Sequence, residues 1–136
     1  LLLLAGPDIF IGLLFWEVAM TDLAELFRAG SLFINAGVGA GGVLQIVAPT
    51  VNTKGIWIRT CGLQATASGV VWLYANSVPP ATADDTSARA IFAAGFPGSA
   101  TEPFSMPYPL FVPPGQGIWI GSTGGGGIIM TWDVLS

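Results

Sequence analysis

The chain has 136 residues, 52% of them apolar and only 9% charged, with a net charge of −4, one cysteine and no histidine. This length serves one hydrophobic core. An ordinary soluble domain carries roughly 25% charged residues, so too few charges remain here to cover a free surface, which favours an oligomer, a membrane or a permanent assembly. The four cations, Arg28, Lys54, Arg59 and Arg89, form no cluster and argue against nucleic acid. The missing histidine removes the usual general base and the commonest transition-metal ligand.

Residues 1–20 stand apart. Leu1 to Leu4 and Ile9 to Trp16 form two apolar runs separated by Pro7 and Asp8. No basic region or cleavage site marks a signal peptide, and Pro7 and Asp8 interrupt the run before it reaches the roughly 20 residues a bilayer crossing needs. The segment reads as an apolar arm packed on a neighbouring subunit, with a membrane anchor as runner-up. Its assembly contacts are expected from Leu13, Leu14, Phe15 and Trp16, joined by Leu23 and Phe27. In TDLAELFRAG, Asp22 and Glu25 resemble a capping box, Leu23, Leu26 and Phe27 share a helical face, and Gly30 is a natural stop. This predicts a short helix over 22–29. The tract GVGAGG at 37–42 lacks the order of a dinucleotide fingerprint and no helix pattern follows it, so it reads as a flexible connector. Residues 1–42 are therefore expected to form arm, helix and connector, and residues 43–136 the folded domain.

From residue 43 the pattern becomes short runs rich in Val, Ile, Trp and Tyr, broken by Pro, Gly and polar turns. Strands are expected at 43–48, 55–61, 70–75, 89–93, 108–112, 118–121 and 128–133. Seven short strands with such punctuation predict an all-β, jelly-roll-like β-sandwich. Gly55-Ile-Trp-Ile, followed by Gly69-Val-Val-Trp, echoes Gly117-Ile-Trp-Ile, followed by Gly127-Ile-Ile-Met. The echo predicts two facing hairpins, with Ile56, Ile58, Ile118 and Ile120 on one face and Trp57 and Trp119 on the other.

The chemistry-bearing side chains are few. Asp84 and Asp85 are the only adjacent carboxylates, and neighbouring positions in a polar loop suit a solvated turn better than acid–base work or calcium ligation. Cys61 reads as a small buried hydrophobe. Trp57, Trp72, Trp119 and Trp132 lie in expected strands, where packing outweighs sugar stacking. No catalytic, metal or cofactor site is expected.

Tyr108-Pro-Leu-Phe-Val-Pro-Pro-Gly-Gln-Gly-Ile-Trp-Ile, with the Gly-rich segment after it, resembles small β-sandwich virion proteins of tailed bacteriophages, of the capsid cement or decoration type or the head-fibre and tail modules. The resemblance implies a homo-oligomer in the virion, docked on a capsid or tail protein, with an arm reaching a neighbouring subunit. A carbohydrate- or receptor-binding module and a membrane-associated protein anchored by residues 1–20 stay open beside it.

Overall fold

The computed structural model describes residues 28–100 and 102–136, where nine strands and no helix occur. They are β1 (Leu32–Val38), β2 (Gly42–Val47), β3 (Ile56–Ala65), β4 (Gly69–Asn76), β5 (Ala90–Phe96), β6 (Phe104–Ser105), β7 (Leu110–Val112), β8 (Gly117–Ser122) and β9 (Gly126–Val134). All seven expected strands are present, several of them longer than expected. The expected helix at 22–29 lies outside the described residues up to Phe27, as do residues 1–20.

The strands form two antiparallel sheets. The first runs β1-β9-β3, with β6 and β7 both pairing the far side of β3, and the second runs β2-β8-β4-β5. If β6 and β7 count as two halves of one strand, the first strand pairs the last, the second the last but one, and so inward to β4 and β5. The chain is thus a long hairpin wrapped over itself into a two-layer β-sandwich.

Two sequence expectations need correction. GVGAGG is no flexible connector: Gly37 and Val38 end β1, Gly42 opens β2, and residues 39–41 make the turn between the sheets. Gly41 takes the left-handed conformation there (φ +71°), and its N–H donates to the Ser122 carbonyl at 2.8 Å. The sandwich therefore begins at Leu32, ahead of the expected boundary at 42/43. The echoed segments are not hairpins either. β3 and β4 lie in different sheets, as do β8 and β9; instead β3 pairs β9 and β4 pairs β8. The short turns 66–68 and 123–125 carry the chain from one layer to the other, and they pack so closely that a Cβ on Gly124 would sit 2.2 Å from the Ser68 carbonyl oxygen.

The predicted core face holds. Ile56, Ile58 and Leu63 of β3 and Ile128 and Met130 of β9 meet Val71, Leu73, Ile118 and Ile120 of the second sheet, all without exposed surface. Each such side chain stabilises the fold by ~1.5–3 kcal/mol relative to exposure. A β-bulge maintains this phase along β3. Ile58 pairs Trp132 and Thr60 pairs Thr131, leaving Arg59 as the extra residue. Without the bulge Thr60 and Gly62 would turn inward; with it Cys61, Leu63 and Ala65 do.

Candidate interaction surface

The two outer faces of the sandwich differ. On the second sheet, Tyr74 and Trp119 point away from the shared core yet are buried, with the loop 77–89 folded over Tyr74 and the Trp119 ring reaching toward Gly117 near Pro49. Ala83 of that loop packs on Gly121, where a Cβ would lie 2.6 Å from the Ala83 oxygen, and the Tyr74 hydroxyl donates to that same oxygen at 3.0 Å. Asp85 organises the loop, accepting from the Ala81 N–H and from the Ser87 N–H and hydroxyl. The Ser87 hydroxyl and the Ala81 and Ser87 amides hold its carboxyl down at about 2. Its oxygens are therefore engaged within the turn, in keeping with the structural reading of the Asp84-Asp85 pair.

Among the described residues the first sheet has a smaller cover, residues 28–31, which lie over β9 with the Gly30 N–H donating to the Thr131 hydroxyl at 3.0 Å. Cross-strand partners share a face, so the outer surface of this sheet carries Phe33 and Asn35 of β1, Ile129, Thr131 and Asp133 of β9, Trp57, Thr60 and Gly62 of β3, and Phe111 of β7. Phe33 is 68% exposed and Tyr108, in the β6–β7 connection, 63%. Of the seven large apolar side chains exposed among the described residues, Phe33, Tyr108 and Phe111 lie on this side, while Leu32 and Phe104, opposite the core-facing Trp132 and Leu63, sit at the rim of the core. Trp57 lies against Phe111 with ring centroids 5.3 Å apart, and the Arg59 guanidinium sits 5.8 Å from the Trp57 ring.

Two polar features punctuate this apolar face. Asp133, nearly buried, accepts from the Arg59 Nε at 2.8 Å and from the Ser31 N–H and hydroxyl at 2.8 and 2.9 Å, and Arg28 approaches it at 3.1 Å. Burial works against its charge, but the Ser31 and Arg59 hydrogen bonds and the Arg28 charge outweigh that and hold the carboxyl at about 2. These contacts tie residues 28–31, which enter β1, to β9. The second feature is a cleft of about 400 Å³ where the Arg59 bulge faces the Pro107-Tyr108-Pro109 break between β6 and β7; Thr60, Ser105 and Ile129 also line it. Thr60 and Thr131 share a hydroxyl hydrogen bond of 2.7 Å beside it.

The expected assembly residues Leu13, Leu14, Phe15, Trp16, Leu23 and Phe27 all lie outside the described residues. Of the tryptophans, Trp119 and Trp132 are buried as packing residues, whereas Trp57 and Trp72 are half-buried. Cys61 is buried, which pushes its thiol up to about 12 and leaves it inert at neutral pH. Sequence reasoning missed Leu32 and Phe33, although the alternation of Leu32, Ile34, Ala36 and Val38 with Phe33, Asn35 and Gly37 carries the strand signal.

No protein-family model matches the chain, and no curated protein does. Among solved structures it is similar to a pentameric capsid protein isolated from metagenomic phage sequences, at 16% identity and a TM-score of 0.38, over 79% of this chain and 66% of that one.

Proposed function

We propose that this chain is a non-enzymatic structural protein of a virus particle, binding a capsid protein or its own neighbours through the outer face of the first sheet. The observation that carries the reading is the contrast between the two outer faces. The second sheet is covered over Tyr74 by its own loop, while the first, among the described residues, presents Phe33, Tyr108 and Phe111 in the open beside a half-buried Trp57, an apolar cluster of the kind that marks an interaction site. The wrapped-hairpin strand order is that of a jelly roll, a frame shared by viral capsid and lectin domains, and the virion setting rests on the phage resemblance of the segment around β7 and β8. Antibody raised against the chain is expected to label intact particles from a producing culture. A chain confined to the particle-free supernatant contradicts the proposal.

The cleft under Tyr108 favours a second reading as a carbohydrate-binding module, with the exposed ring as platform and the Thr60 and Ser105 hydroxyls beside it. Glycan-array binding that disappears in Tyr108→Ala supports it; an array without signal removes it.

A further inference from the structure

The four sheet edges are not alike. An edge strand offers unpaired N–H and C=O groups, and natural proteins blunt such edges with bulges, prolines, breaks or charge. β2 carries a bulge, with Ile46 as the extra residue against β8. β5 carries another, with Ile91 extra against β4. The β6/β7 edge is broken in two and set with Pro103, Pro107 and Pro109, and Phe104 at its end stacks on Phe92 of the opposite sheet at 5.9 Å. Only β1, among the described residues, has none of these devices. It pairs β9 without interruption over seven residues, contains no charge and no proline, and has exposed Leu32 and Phe33 at its start.

We infer that the edge of β1, unpaired among the described residues, pairs antiparallel with β1 of a second copy of this chain, about a twofold axis at Asn35, joining two first sheets into one. The inference rests on the assembly reading above and names its surface. The strand's own sequence selects this occupant. Antiparallel pairing centred on Asn35 places Phe33 opposite Gly37, Leu32 opposite Val38 and Ile34 opposite Ala36, so the larger side chain of each pair meets a smaller one. On the outer face the Phe33 ring lies beside the bare Gly37 of the partner, where nothing crowds a Cβ position more closely than 3.6 Å. On the axis the two Asn35 side chains meet, and a side-chain amide both donates and accepts. The contact is isologous and closes, giving a dimer and not an open fibre.

The test uses the full chain. Asn35→Cys places two thiols directly opposite each other, where cross-strand Cα atoms lie about 4.5–5.5 Å apart, within the Cα separation that a disulfide spans. Cys61 is buried and does not compete. Under mild oxidation Asn35→Cys is expected to give a covalent dimer, while Ser87→Cys, exposed on the other sheet's loop, is not. Asn35→Lys sets like charges face to face on an exposed site that leaves the fold unchanged by circular dichroism, and it is expected to raise the dissociation constant of self-association by about tenfold or more. If the chain self-associates but Asn35→Cys does not cross-link and Asn35→Lys changes nothing, another occupant or another surface is used. That result overturns this inference and leaves the assembly reading standing. A chain monomeric at every concentration overturns it as well, and the particle-labelling experiment then decides the assembly reading by itself.

Discussion

Asn52 shows how a single side chain holds this sandwich together at its far end. Buried in the β2–β3 connection, its Nδ2 donates to the Pro113 and Gln116 carbonyls at 2.6 and 2.9 Å, and its Oδ1 accepts from the Gly55 N–H. Asn52→Ala leaves those groups without partners, at about 1–3 kcal/mol for each buried one, and urea denaturation is expected to show a loss of at least ~2 kcal/mol. Ser122 is the opposite case: its buried hydroxyl has no partner, so Ser122→Ala is expected to leave stability unchanged or raised. The acid limb of stability belongs to Asp133 and Asp85. Both carboxyls titrate at about 2 in the fold against an ordinary 3.8. Their contribution is fully present above the ordinary value and is lost as pH falls from near 3.8 toward 2. Asp133→Asn should therefore flatten the fall in stability across that window, measured by denaturation at a series of pH values; an unchanged slope contradicts the assignment. The Asp85 turn is local and was legible, but the ties of Asp133 and Asn52 were not, because Arg59 and Asp133 stand 74 residues apart and Asn52 and Pro113 61 apart. Only the topology brings them together.

Strands are legible where side-chain alternation is unbroken and bounded by turn residues, which is why the seven expected between residues 43 and 136 are present. β1 was hidden because its end, Gly37 and Val38, merges into the Gly-rich tract 37–42 that reads as a connector. The pairing of β3 with β9, and not with β4, was hidden for a different reason. A short Gly-rich turn serves a hairpin and a crossing between sheets equally well, and what decides between them is the packing of turns 66–68 and 123–125 against each other. Gly124→Ala inserts a methyl group against the Ser68 carbonyl. It is expected to cost ~1–3 kcal/mol, as overpacking does, read as a lowered melting temperature. The roof over the second sheet has its own test. Tyr74→Phe removes the buried hydrogen bond to Ala83 and is expected to cost about 1 kcal/mol, with proteolysis in loop 77–89 accelerated.

At the scale of the whole molecule, a chain with 9% charged residues covers part of one outer face with its own loop, while the described residues leave Phe33 and Phe111 exposed on the other. The shortage of charge predicts an assembly; the face proposed for it could be named only from the fold. Residues 1–20 add to the same surface budget, and deleting them is expected to leave the strands folded while weakening self-association or docking; a truncated chain that assembles normally contradicts the role of the arm. The central claim is that the outer face of the first sheet is covered by protein in the working state, and hydroxyl-radical footprinting of the assembled chain against the dilute chain measures that directly. Protection of Phe33, Tyr108 and Phe111 on assembly, with Val78 on the roof loop labelled equally in both states, is the predicted result. Equal labelling of all four residues in both states would contradict the account.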